Sequence, residues 1–134
     1  MNFSIFTYGD KIEKFLQDGI KEYEKRLSRY CKINAKLFKN TESLQKSISN
    51  KKYVVVVTSM NTDMISSEEL ASKIEYLALH GNSDVTFVVG TSDIKADETI
   101  ALSSFQISSG LTTMILYEQV YRAYRIINNE PYHK

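Results

Sequence analysis

Tyr53-Val54-Val55-Val56-Val57 is an unbroken β-branched run, and Asp84-Val85-Thr86-Phe87-Val88-Val89 is a second run of strand type that ends abruptly at Gly90. A strand of that kind needs cover on both faces, so it belongs inside a parallel sheet with helices above and below. The residues between the two runs supply the crossover. Ser66 and Glu69 have the spacing of a capping box, Leu70, Ile74 and Leu77 continue a helical stripe, and Gly81 stops it. Strand and helix periods alternate through the rest of the 134 residues as well, which gives an α/β class: a mostly parallel sheet flanked by helices. The length suits a single domain over 1–134.

Phe3 to Thr7 reads as a first strand, and the turn Tyr8-Gly9-Asp10 places Asp10 to cap a helix running to about Arg29. Ile12, Phe15, Leu16, Ile20, Tyr23 and Leu27 should form its inward face. Ile33, Ala35 and Leu37 alternate with Lys32, Asn34 and Lys36, the pattern of an edge or near-edge strand with one wet face. Thr41 to Ser49 is at best a short helix. The last helix, Leu111 to Ile127, is apolar on more than one side, more than a domain of this size can enclose. It is expected to cover both the core and a second copy of the chain, making a homodimer.

Charge and special residues exclude several classes. Cys31 is the only cysteine, so neither an internal disulfide nor a cysteine-based metal cluster can form within one chain, and no metal is expected. No stretch approaches the roughly 18 apolar residues that span a bilayer, and no basic leader opens the chain. No membrane partner and a cytoplasmic location are expected. The net charge is only +1, yet residues 1–52 carry 12 Lys and Arg against 6 Asp and Glu, and residues 53–134 carry 5 against 10. The basic half is either a nucleic-acid face or a solvated helix surface, and charge alone favours the second.

Ligands of open α/β sheets bind beyond the C-terminal ends of the strands. Two such ends stand out, Val57-Thr58-Ser59 and Val89-Gly90-Thr91-Ser92. Gly90, lacking a Cβ, would let a ligand approach the main chain; a plain turn into a helix near Ala96 to Leu102 is the competing reading. There is no Gly-x-Gly-x-x-Gly and no P-loop lysine motif, which weakens a generic nucleotide-binding reading.

Several segments together resemble the RlmH family of ribosomal RNA large-subunit methyltransferases. They are Tyr8-Gly9-Asp10-Lys11, Glu22-Tyr23-Glu24-Lys25-Arg26-Leu27, Ser66-Ser67-Glu68, Ser83 to Gly90, Leu102-Ser103-Ser104 and the segment Glu118 to Lys134. The most specific part is Glu118-Gln119-Val120-Tyr121-Arg122-Ala123-Tyr124-Arg125 followed by Pro131-Tyr132-His133-Lys134. The resemblance implies a SPOUT-type α/β fold with a C-terminal trefoil knot, which general chain rules would disfavour. It further implies a homodimer that uses S-adenosylmethionine to methylate N3 of a pseudouridine in 23S ribosomal RNA of the ribosome. By matching position, the cofactor pocket would comprise Thr58, Gly90, Leu102, Ser103, Ser104, Phe105, Gln106 and Ile107. The chain departs from the family pattern at Thr91, at Ser108-Ser109-Gly110 and at Thr113, where an arginine is usual, and its loops are shorter.

Methyl transfer to an imide nitrogen needs in-line positioning, removal of a proton and a cation near the developing charge. His133 could take the proton and Arg122 could stabilise the anion, while Arg125, Tyr132 and Lys134 would contact RNA, Tyr132 by stacking on a base. Spacing alone offers alternatives: Arg122 paired with Glu118 one turn earlier, His80 as a helix-end dipole partner, and a frayed tail. The altered loops also motivate a rival function, a catalytically impaired RNA- or ribosome-binding dimer on the same scaffold.

Overall fold

In a computed structural model that describes residues 1–59 and 63–132, five strands and four helices alternate: β1 (Asn2–Tyr8), α1 (Lys14–Leu27), β2 (Lys32–Phe38), α2 (Thr41–Ile48), β3 (Tyr53–Val57), α3 (Ser67–Leu79), β4 (Asp84–Val89), β5 (Glu98–Ile100) and α4 (Ser109–Ile127). The strands form one sheet in the order β2-β1-β4-β3-β5, every pair parallel. The unbroken run β3 and the second strand run β4 are interior, and the alternating strand β2 is an edge, in line with the sequence reading. Successive residues point to opposite faces. Phe3, Ile5, Val55, Val57, Val85, Phe87 and Val89 meet Ile20 and Leu27 of α1, Leu70 and Ile74 of α3, and Leu116 and Val120 of α4. Phe6, Val54, Val56 and Val88 face the other way, toward Phe38 of β2 and Leu44 and Ile48 of the short helix α2. The sheet is therefore covered unequally, by three helices on one side and one on the other.

The capping box at Ser66 is complete: its hydroxyl accepts from the Glu69 N–H at 3.0 Å, and the Glu69 carboxylate accepts from the Ser66 N–H at 2.9 Å. Such a cap contributes about 1 kcal/mol to the helix. At the other end of α3 the backbone N–H of His80 donates to the Tyr76 carbonyl, and the imidazole stacks on the Tyr76 ring.

Four expectations are corrected. Asp10 does not cap α1; the helix begins at Lys14, and the Glu13 carbonyl accepts from the N–H groups of Leu16 and Gln17. It also ends at Leu27, short of Arg29. Phe15 is not inward but 71% exposed, because it sits about 100° around the helix from Leu16, which with Ile20 and Leu27 defines the buried stripe. No helix forms between Ala96 and Leu102: Glu98–Ile100 is the edge strand β5. Asp97 sets its register by bonding Val54 twice, its carboxylate accepting the Val54 N–H at 2.7 Å and its own N–H donating to the Val54 carbonyl at 2.9 Å.

α4 closes the domain. It lies beside α1, with Gly110 against Leu16 and Ile12, Gly19 against Met114, and the buried Tyr117 hydroxyl donating to Glu24 at 2.7 Å. Thr113 is fully buried, its hydroxyl 2.7 Å from that of Thr7 on β1 and 2.8 Å from the Ser109 carbonyl. A threonine satisfies both partners here, whereas the arginine usual at this position in the resembled family would bring a charge into a dry contact.

Candidate cofactor cleft and C-terminal cluster

A cleft of about 270 Å³ opens at the C-terminal ends of β3 and β4. Its floor is Val57-Thr58-Ser59 and Val89 to Ser92, the two strand ends singled out in the sequence. The loop leading to α4 forms the opposite wall through Leu102, Ser103, Phe105 and Ile107, and the first turns of α4 add Ser109, Thr112 and Ile115. Of the residues matched to a cofactor pocket, Ser104 and Gln106 are exposed and do not line it. Val57, Ser59, Val89, Thr91 and Ser92 line it as parts of those two strand ends, while Ser109, Thr112 and Ile115 line it without any signal in the sequence. The strand-end rule locates the first five; the α4 residues depend on how the last helix is docked.

Local bonds hold this rim. The Thr58 N–H donates to the Ile100 carbonyl at 2.9 Å, tying the end of β3 to β5. The Ser103 hydroxyl accepts from the Phe105 N–H at 3.0 Å, and that of Thr91 from the Asp93 N–H at 3.2 Å. Ser108 caps α4 by accepting from the Leu111 N–H. Gly90 has φ +98, and a Cβ there would overlap the Tyr8 carbonyl oxygen and the Ser109 hydroxyl. Its glycine is thus required by the convergence of β1, β4 and α4 as well as by backbone conformation. The start of α4 occupies the space over the ends of β1 and β4, and the cleft lies one strand over, between β4 and β3.

The lining suits a ligand with a flat apolar part and several polar ends, since Val57, Val89, Leu102, Ile107 and Ile115 alternate with the hydroxyls of Thr58, Ser59, Thr91, Ser92, Ser103 and Thr112. Among the described residues no acidic or basic side chain lines the cleft. Among the described residues the cleft thus offers no charged group to take a proton from an imide or to pair with its anion.

The ionisable candidates are elsewhere. Arg122 lies 13 residues along α4 from Ser109, about 20 Å at 1.5 Å per residue. It donates to Glu118 through Nε at 3.2 Å and Nη2 at 2.7 Å, and its guanidinium stands 5.0 Å from the Tyr132 ring. Donating these hydrogen bonds to the Glu118 carboxylate raises its pKa further above the usual range, so it stays charged. Arg125 is turned inward, donating to Glu130 at 3.0 Å, to the Pro131 carbonyl at 2.9 Å and to the Tyr30 hydroxyl at 3.3 Å. Tyr132 packs edge-on against Tyr121 at 5.0 Å, and its hydroxyl lies 3.5 Å from that of Tyr23. Burial, then the Tyr23 contact, push its pKa up to about 12. His133 and Lys134 lie outside the described residues.

Large apolar side chains are exposed near the cleft end of the α1–α4 pair: Phe15 at 71%, Phe105 at 77% and Leu111 at 41%. Among the described residues no helix is long and apolar enough to cross a membrane, and no group of three His, Cys, Asp or Glu could hold a metal ion.

A family model described as a predicted SPOUT methyltransferase matches residues 1–133. Ribosomal RNA large subunit methyltransferase H 1 of Thermoanaerobacter sp. (strain X514) is 46% identical over 134 residues, covering all of both chains. Ribosomal RNA large subunit methyltransferase H 2 of Thermoanaerobacter pseudethanolicus gives the same figures. Ribosomal RNA large subunit methyltransferase H of Alkaliphilus oremlandii is 37% identical over an alignment of 160 positions that covers both chains fully. The shortened loops are therefore shared with the two Thermoanaerobacter proteins and absent from the longer relative.

Proposed function

The chain belongs to the SPOUT methyltransferase family, and from that membership we propose that it transfers a methyl group from S-adenosylmethionine to N3 of a pseudouridine in 23S ribosomal RNA. The family also implies a knotted connection into α4. The observation that carries the reading is the cleft at the ends of β3 and β4, apolar and hydroxyl-lined, on a chain that aligns end to end with RNA methyltransferases. The lining fits S-adenosylmethionine by its chemistry: aliphatic side chains for the adenine, and hydroxyls and strand-end backbone for the ribose and the amino-acid part. When bound, the cofactor supplies an electrophilic methyl group on a sulfonium.

The chain's own residues do the rest in two places. The cleft excludes water and orients the donor, with Leu102, Phe105 and Ile107 as its outer wall. Arg122 is a fixed cation, held by Glu118, that suits stabilisation of an imide anion. Tyr132 beside it offers a ring for stacking on an extruded base, Arg125 supports the turn that carries that ring, Lys134 is the candidate RNA contact, and His133 is the candidate proton acceptor. Because one chain holds Arg122 about 20 Å along α4 from Ser109 at its own cleft, the working unit is a homodimer. Two copies with their α4 helices antiparallel, Phe15 and Leu111 of each lying against the later turns of the other's α4, would bring Arg122 and Tyr132 of each copy toward the cleft of the other.

The rival, an RNA-binding dimer with an impaired cofactor loop, rested on Thr91, Ser108 to Gly110 and the short loops. Relatives of the same length carry the methyltransferase name, so loop length does not favour it. Ribosomes from cells lacking the protein, incubated with the protein and methyl-labelled S-adenosylmethionine, should gain one label in 23S RNA, located by mass spectrometry. No binding of S-adenosylmethionine at millimolar concentration by calorimetry would refute the proposal.

A further inference from the structure

The end of α4 is followed by a turn whose geometry is held by one carboxylate. Asn129 adopts φ 55, in the left-handed region, and the Glu130 N–H returns to the Arg125 carbonyl at 2.8 Å. The Glu130 side chain then gathers three donors from two separate parts of the fold. The Tyr30 hydroxyl, from the segment after α1, donates at 2.6 Å; Arg125 of α4 donates at 3.0 Å; and the Arg29 guanidinium stands at 3.7 Å. Glu130 is only 25% exposed, and Arg125 also donates to the Pro131 carbonyl, so the peptide immediately before Tyr132 is fixed by the same arginine. Tyr30 is itself anchored by stacking on Tyr124 at 5.3 Å.

We propose that Glu130 is a positioning residue for RNA methylation: by clamping the turn after α4 to Tyr30 and Arg125, it sets Tyr132 against Tyr121, Arg122 and Tyr23, where the ring can receive a base. This deepens the proposed function and rests on it for the link to RNA. Glu130 touches no reacting atom; it acts through Tyr132. Chain ends fray unless tied down, and these contacts are what tie this one. Charge-assisted bonds from Arg125 and a short bond from a buried-side tyrosine make the clamp stronger than a neutral turn would be. Because Arg125 is used in the clamp, its contribution to RNA handling is indirect by the same route.

The chain contains no tryptophan, so Tyr132→Trp places a single fluorophore at the end of the clamp. In that background acrylamide quenching should be weak, and adding Glu130→Ala should increase it at least twofold, well below the melting temperature. Adding Glu130→Gln, whose carbonyl still accepts from Tyr30 and Arg125, should restore most of the protection. With Tyr132 intact, Glu130→Ala should lower kcat/KM for ribosomal RNA by roughly tenfold to a hundredfold through misplacement of the ring, with the affinity for S-adenosylmethionine unchanged and recovery in Glu130→Gln. Equal quenching in all three proteins overturns the proposal. If quenching responds as expected while methylation does not, the clamp stands and the role of the tail in RNA binding falls. Loss of cofactor affinity in Glu130→Ala would show a general structural defect and also overturn it.

Discussion

Gly90→Ala separates two reasons for a glycine. At φ +98 any side chain is strained, at a cost of about 1–3 kcal/mol. Here the new Cβ would also overlap the Tyr8 carbonyl oxygen and the Ser109 hydroxyl, so β1 or the start of α4 must shift, adding about 1–3 kcal/mol. The sum, about 2–6 kcal/mol, is a large part of the roughly 5–15 kcal/mol that holds a domain of this kind together. Gly81 is the control: its φ is +82, and nothing lies within 4 Å of its missing Cβ. Gly81→Ala should therefore show only the backbone part, about 1–2 kcal/mol. Urea titration of the two variants against the parent protein measures the difference directly. Gly90→Ala should also weaken S-adenosylmethionine by about tenfold or more, because the shifted backbone is the cleft floor, while Gly81→Ala should leave it unchanged. Equal destabilisation by the two substitutions, or unaltered cofactor affinity in a destabilised Gly90→Ala, would refute the convergence of β1, β4 and α4 as the reason for this glycine.

Phe15→Glu combined with Leu111→Glu places charges on the exposed apolar end of the α1–α4 pair; light scattering should show a dimer converted to a monomer with the fold retained, and an unchanged mass would move the interface elsewhere. Deleting residues 132–134 should leave folding and cofactor affinity intact while abolishing RNA methylation; full activity of the truncated protein would remove the tail from the mechanism. Burial pushes the Cys31 thiol from an ordinary 9.0 up to about 11. Its native pKa is the higher one, so its contribution to stability is complete below pH 9 and is lost as the pH rises from 9 through 11. Urea titrations at pH 8 and 10.5 should show the decline, and at pH 8 a thiol reagent should react far more slowly with native than with unfolded protein; equal rates would disprove the burial effect.

The interior strands, the edge strand β2, the Ser66 cap and the strand-end location of the cleft were all legible, because each rests on a local pattern with one physical solution. Phe15 shows the limit: five of the six apolar positions around α1 point at least partly inward, and only the docking of α4 decides that the sixth does not. β5 is three residues long and owes its register to Asp97 bonding a distant strand, a contact with no local signature. Arg122 illustrates the opposite problem. Its spacing from Glu118 suggested an ion pair and the family resemblance a catalytic role; the ion pair is present, and the catalytic role rests on the proposed dimer.

Thr7 and Thr113 join the first strand to the last helix across 106 residues, and Tyr30 and Tyr23 reach Glu130 and Tyr132 in the same manner. During synthesis, β1, β3 and β4 would emerge with one apolar face bare, because α4, which covers much of it, is translated last. The core can close only once that helix has left the ribosome, so folding falls after most of the chain is made and depends on contacts distant in sequence, which form slowly. A nonsense mutation between β4 and α4 would therefore release an aggregation-prone sheet and not a slightly shortened enzyme.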